Sequence, residues 1–329
     1  MEQSRVMPRQ FPVIKTIRRV LSIPELGVIF ALVALLIVFS LENRTMLSRN
    51  NITTMIQTMS FTGIIVVGMT FLMIAGEIDL SVGGVYALAS AIVGYLTVTV
   101  GWSVGATVVA VVLAGIAVGL FNGVVTVKLE LPAFVVTLGT MFAARSLGDV
   151  LTNGNYIWGL PEDFVAFGRA APLGFSWSFW TLIVLVILGE FMLRWTIFGS
   201  MVKATGGNKQ AARIAGIRTD WVKIACFVLT SELAMISGLL ATAVIATGDS
   251  HIGPGMELDV IASSVIGGTS LLGGVGSVIG TLLGTSVLQV IRSGLIMAGI
   301  NIDWQNVAVG SALAGAASID LLRRRAKKY

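Results

Sequence analysis

Charge is what this sequence has least of. Asp, Glu, Lys and Arg together make up 12% of its 329 residues. A soluble domain carries about a quarter, so there is too little charge here to cover a water-exposed surface. Cysteine is almost absent: the single Cys226 rules out a disulfide framework within the chain and, set in an apolar run, reads as a small buried hydrophobe. One histidine, His251, cannot make a His-based metal cluster, and a Ser-His-Asp triad would depend on that residue alone. There is no Gly-x-x-x-x-Gly-Lys-Ser/Thr phosphate loop and no Gly-Lys pair anywhere, so the chain lacks a P-loop for nucleotide phosphates. No catalytic residue, no metal site and no cofactor of the chain's own are expected.

Apolar sequence takes the place of charge. The chain is 55% hydrophobic with a mean hydropathy of +0.90. Its apolar runs are close to the roughly 20 residues that cross a bilayer core about 30 Å thick. They are continuous rather than alternating, which excludes a β-barrel. The expected fold is an all-α polytopic membrane protein of about ten transmembrane helices, over 23–41, 52–75, 80–100, 103–127, 131–152, 174–193, 221–247, 258–272, 275–298 and 307–322. The first run follows a basic stretch without a small-residue cleavage site, and so reads as a retained span rather than a signal peptide.

Lys and Arg set the orientation. They cluster in the N-terminal tail 1–22, in the loop 194–220, just after it at Lys223, and in the C-terminal tail 323–329; Lys128 lies in the turn between the fourth and fifth spans. An even number of spans with both termini cytoplasmic places all of these inside. Arg44, Arg49, Arg145, Arg169 and Arg292 then lie in or near segments of the opposite side. The net charge of +5 therefore reflects topology and anchoring at an anionic lipid leaflet, not nucleic-acid binding.

Two loops are long enough to matter. The outer one, 153–173, holds Trp158, Pro161, Glu162, Asp163 and Pro172, and is expected to dock a partner or to fold as a short covering helix. In the inner one, Asn208 is placed to cap a helix whose first turns are KQAARIA, with Gly216 just past its end. Ala211, Ala212 and Ala215 with Ile214 form a small-residue face, while Lys209 and Arg213 stand at helical spacing on a charged one. Such a helix suits a shallow groove on a partner protein, or the bilayer surface.

Ionisable and polar residues within spans are costly and suggest function. The stretch GEIDLSVGG, residues 76–84, puts Glu77 and Asp79 between two apolar runs. Gly76 can end one helix, and Asp79 or Ser81 can cap the next; Glu77 reads as solvated or loosely paired. Arg145 and Asp149, four apart, are expected to pair. Glu232 lies near the middle of the seventh span, either on a translocation path or neutral and bonded to a neighbouring helix. Glu190 reads as snorkelling from an inner end. Asn122 sits with Gly119 and Gly123 at spacing that lets helices approach closely, and is expected to bond across that contact. The segments around GEIDLSVGG and MELDVIASSVIGG look faintly alike, as an internal repeat would.

Four segments carry a family resemblance. VGMTFLMIAGEIDLSVG, LPAFVVTLGTMFAARSL, GGNKQAARIAGI and GMELDVIASSVIGGTSLLGGVGSVIGTLLG, in that order, resemble the permease subunits of bacterial ABC importers for simple sugars of the ribose/arabinose/xylose type. The resemblance covers most of residues 52–299. It implies a single permease domain over 23–322, with 194–220 as the loop that couples to the ATPase. Glu77 and Glu232 depart from the family pattern. The implied partners are a cytoplasmic ABC ATPase subunit carrying ATP and Mg²⁺, a periplasmic sugar-binding protein, and a second permease copy or a paralogue. The implied place is the bacterial inner membrane. In this reading Asn208, Lys209, Ala211, Ala212, Arg213, Ala215 and Gly216 form the coupling loop, and Asp79, Ser81, Asn122 and Glu232 are candidates for a helix break or the translocation path. The rival is an ion-coupled secondary transporter using Glu77, Asp79 or Glu232.

Overall fold

The computed structural model describes residues 24–326; the basic tail 1–22 and the end of the basic C-terminal tail lie outside the described residues. The first helix, α1 (Pro24–Glu42), opens on a proline, whose missing N–H is one that a helix start leaves unbonded anyway. Helix α2 (Arg49–Ile74) is capped by Ser48, whose hydroxyl accepts from Asn51 N–H at 3.3 Å. Helix α3 (Val82–Gly94) runs on into a π turn over Tyr95–Thr99. Ser103 caps α4 (Val104–Lys128) in the same way as Ser48, and α5 (Ala133–Thr152) ends on a left-handed Asn153. A short α6 (Glu162–Arg169) precedes α7 (Trp177–Trp195). Two short helices, α8 (Ile197–Gly207) and α9 (Lys209–Ile214), lead into α10 (Thr219–Ile245). Then come α11 (Met256–Ile266), α12 (Val278–Met297) and α13 (Ile302–Ala326).

No strand is formed among the described residues; one antiparallel bridge joins Ile157 to Gly248. Eight of the described helices are long and apolar enough to cross a membrane. The sequence-based spans and the helices agree to within a few residues except at two places: the tenth, 307–322, where α13 runs from Ile302 to Ala326 and is not among the eight, and 258–272. There α11 has 11 residues, about 16 Å at the α-helical rise, too short for a bilayer core. It stops where Gly267 and Gly268 follow in succession, and residues 267–277 form an irregular loop instead.

At the centre α2 and α10 cross antiparallel. Gly68 meets the Thr230 backbone, and the Ser237 hydroxyl donates to the Phe61 carbonyl at 2.7 Å. The core around this crossing is dry, with Phe71, Met69, Phe227 and Met235 fully buried. The expected close approach at Gly119 and Gly123 is present: these two glycines admit the Val228 and Ile224 backbone, seating α4 on α10.

The chain contains the same sequence of parts twice. A long central helix, an irregular segment, a shorter helix and two further helices run through α2–α5, and again through α10–α13. The central helices of the two halves are antiparallel, so the halves are inverted. GEIDLSVGG and MELDVIASSVIGG both lie at the start of the shorter helix of their half, but Asp79 precedes α3 whereas Asp259 lies in the first turn of α11. Each segment's aspartate is held by the fourth element of its own half: Asp79 by Asn122 of α4, and Asp259 by Arg292 of α12 at 2.6 Å.

Candidate functional site

The break between α2 and α3 starts at an exposed Gly76 and runs inward to the fully buried Asp79 and Ser81. Gly76, at φ +86°, turns the chain after Ala75, a conformation that a Cβ would disfavour. The Glu77 N–H still bonds the Leu72 carbonyl at 3.1 Å, and beyond it side chains take over as acceptors for the main chain. Asp79 Oδ1 accepts the Ser81 N–H at 2.7 Å and the Ser81 hydroxyl at 2.5 Å. Thr137 Oγ1 of α5 accepts the Leu80 N–H at 3.0 Å. Asp79 thus holds Ser81, the residue just before α3, rather than the helix's own first turn, and the Ser81 side chain makes no cap bond to α3 either.

Asn122 ties this break to two helices. Its Nδ2 donates to Ser81 Oγ at 3.0 Å and reaches Asp79 Oδ2 at 3.5 Å, while its Oδ1 accepts from the Thr140 hydroxyl of α5 at 2.6 Å. Asn122 therefore bonds toward the break and α5, not across the glycine contact with α10. Asp79, Ser81 and Asn122 are all 0% exposed. The structure brings these three candidates together and adds Thr137 and Thr140, which the sequence reading missed; two threonines in an ordinary helical run carry no signal of their own.

Glu232 does not belong to this cluster. It sits half-buried against Gly115, about two turns of α4 away from Asn122, with Oε1 lacking a hydrogen-bond partner. Glu77 is neither solvated nor loosely held: its carboxylate pairs with Lys223 of α10, their side chains 19% and 9% exposed. Glu190 does not snorkel. Its Oε1 pairs with Arg194, and its Oε2 accepts Val278 N–H at 2.7 Å and Ile279 N–H at 3.1 Å, capping α12. The first turn of α12 needs acceptors for N–H groups inside the bundle, and a carboxylate is favoured there by the helix dipole.

Arg145 and Asp149 do not pair. Arg145 Nη2 donates to the Gly253 carbonyl at 3.0 Å, an oxygen that also accepts the Met256 N–H at 3.2 Å. Asp149 lies 3.8 Å from His251 Nε2. The outer loop forms α6 as a cover: Gly168 lies against the Ala243 backbone, and a cavity of about 410 Å³ lined by Leu160, Glu162, Val165, Arg169 and Ala246 opens beside it.

At the basic end, Asn208 Oδ1 accepts the Ala211 N–H at 3.0 Å and caps α9. Gly216, at φ +85°, turns the chain after it. Ala212 is buried, while Lys209, Ala211, Arg213, Ile214 and Ala215 are exposed. The presented face thus consists of Ala211, Ile214 and Ala215, with Ile214 at 89% exposure. Arg213 is drawn back to α10, its Nη2 donating to Asp220 at 2.7 Å and its Nε to Thr219 at 3.1 Å. Helix α8, just before this segment, was not legible in the sequence reading; Thr196 caps it by accepting the Gly199 N–H at 3.3 Å.

An all-α membrane protein with buried helix breaks and a capped helix displayed at one end has the parts of a transporter. Residues 50–317 match the family described as "Branched-chain amino acid transport system / permease component", and the chain belongs to that family. It is 33% identical to the autoinducer 2 import system permease protein LsrC of Photorhabdus laumondii over 295 residues, covering 89% of this chain and 88% of that one. LsrC of Escherichia coli K12 is 33% identical over 296 residues (90% and 86%), and LsrC of Salmonella typhi 33% over 296 (90% and 85%). No solved structure matches the chain. The sugar-permease resemblance read from the four segments is thereby shown: this is an ABC importer permease, a multi-pass protein of the inner membrane.

Proposed function

We propose that this chain forms the translocation path of an ATP-driven importer for a small sugar-type compound, with autoinducer 2, the compound named for its relatives, as the first candidate. The observation that carries the reading is α9, a six-residue helix held by its own cap and displaying Ala211, Ile214 and Ala215 on the basic end of the bundle. A helix with so little apolar area is poorly suited to anchoring in lipid and well suited to a groove on another protein. That protein is a separate ATPase subunit, which supplies ATP and Mg²⁺. Closure of the ATPases on ATP draws the coupling helices together and opens the permease to the periplasm; hydrolysis returns it to the inward-facing state.

The same reading places both termini and the basic end in the cytoplasm with about ten helices, the short α11 included. It pairs the permease with a second copy or a paralogue and receives substrate from a periplasmic binding protein. Asp79, Ser81 and Asn122 hold the hinge at the helix break. Reconstitution of the permease with its ATPase and binding protein in liposomes tests this. Uptake should require ATP, the ATPase subunit and the binding protein; uptake driven by a proton or sodium gradient without them sinks the reading.

A further inference from the structure

The basic end contains a junction that the permease reading leaves without a role. Three stretches of backbone meet there with no side chain between them. The Ile74 carbonyl at the end of α2 accepts the Gly274 N–H at 2.8 Å. Gly206, at the end of α8 and two residues before the cap of α9, faces that same carbonyl with no room for a Cβ. A Cβ at Gly274 would come within 2.9 Å of Gly207 Cα, and one at Gly273 within 3.1 Å of Gly76 Cα. Gly76 begins the α2–α3 break, and Gly273 and Gly274 lie in the irregular loop after α11. The segment carrying the coupling helix therefore rests directly on the irregular backbone of both halves.

A second, polar connection runs beside the first. Arg213 of α9 bonds Thr219 and Asp220 in the first turn of α10. One turn further along, Lys223 pairs with Glu77 inside the break. A buried ion pair is sensitive to the loss of either partner, because the other charge is then stranded. Backbone packed on backbone has no rotamers to absorb a displacement, unlike a contact between long side chains.

We propose that residues 75–81 are the mechanical output of the coupling helix. Movement of α9 reaches the break through the Glu77–Lys223 pair and through the Gly206–Ile74–Gly274 junction, and these are positioning residues for transport. The proposal rests on the ATP-driven reading above. Both connections end on the peptide segment that also carries Asp79, so a shift of α9 bears on the hinge directly.

The test measures ATP hydrolysed per substrate molecule imported, in liposomes containing permease, ATPase and binding protein. Gly206→Ala has no room for its methyl group, whereas Gly207→Ala faces open space. Gly206→Ala should raise ATP consumed per import about tenfold, within the range that mutations along coupling networks reach, with the ATPase rate kept within about twofold. Gly207→Ala should behave as wild type. Glu77→Gln should raise the ratio severalfold, and the exchanged pair Glu77→Lys with Lys223→Glu should restore it to within about twofold. If Gly206→Ala yields no assembled complex, the Glu77 series decides alone. An unchanged ratio in the singles, uptake and ATPase falling in proportion, or no rescue by the exchanged pair overturns the proposal. Absence of ATP-dependent uptake in the wild type would instead sink the importer reading itself.

Discussion

Asn122 Nδ2 donates to the Ser81 hydroxyl at 3.0 Å, so one side chain of α4 fixes the entry to α3. The carbonyl of the same amide accepts from Thr140 on α5. Replacing Asn122 by Leu, similar in size, removes the donor to Asp79 Oδ2 and to the Ser81 hydroxyl, both buried, while the Thr140 hydroxyl falls back on the Val136 carbonyl at 3.1 Å. The expected cost is about 2–4 kcal/mol, from the desolvated groups left unbonded. It is read as a lower thermal unfolding midpoint of the purified permease, with transport reduced in step. An unchanged midpoint would show that the three-helix tie contributes little.

Asp79 is an acceptor for the break, and an amide can perform part of that task. Asp79→Asn keeps one acceptor oxygen and should retain partial transport, whereas Asp79→Leu offers none and should abolish it. Equal, near-wild-type uptake by both variants in cells, at matched expression, contradicts the assignment.

Glu190 holds the start of α12 with two charge-assisted bonds. Its replacement by Ala removes the one oxygen that accepts both the Val278 and Ile279 N–H groups, so a loss of about 2–3 kcal/mol is expected. Glu190→Gln keeps an acceptor and should lose roughly half as much. Thermal midpoints of the two variants, measured side by side, give the comparison; Ala and Gln behaving alike would point to the ion pair rather than the cap.

The cap of α9 matters out of proportion to its size, since a six-residue helix has almost no cooperative stability of its own. Asn208→Ala should weaken α9 by about 1 kcal/mol and lower affinity for the ATPase subunit about fivefold. Asn208→Asp, which also caps, should bind nearly as wild type. Binding of the purified ATPase to permease in nanodiscs measures both.

Glu232 has a buried carboxyl oxygen without a partner beside Gly115. Glu232→Met replaces it by an apolar side chain of similar length and should raise stability by about 1–3 kcal/mol while leaving uptake intact. Loss of uptake in a well-folded Glu232→Met permease would return this residue to the translocation path.

The apolar runs, the Asn208 cap with its Gly216 stop and the glycine-mediated contact of α4 with α10 were legible in the sequence because each depends on local spacing. That Asp79 would serve the break was legible as well, but its bonding to Ser81 instead of to the first turn of α3 was not. Partnerships across the fold were not. Lys223 meets Glu77, Arg145 meets Gly253 and Glu190 meets α12 only because helices distant in sequence are packed together. The four-residue spacing of Arg145 and Asp149 made a false local pair, since the guanidinium reaches the Gly253 carbonyl of a distant segment instead. The short α11 was hidden for a related reason: the apolar character of 258–272 records burial, and burial here belongs to a loop as much as to a helix.

The two inverted halves have one further consequence. Chemically they are variations on a single design, yet they occupy unlike surroundings: the first break is clasped by an amide and threonines, the second by a guanidinium. The same kind of disturbance therefore acts unequally on the two: loss of the Asn122 amide at the first break removes a neutral donor, whereas loss of the Arg292 guanidinium at the second also leaves the Asp259 carboxylate without its counter-ion.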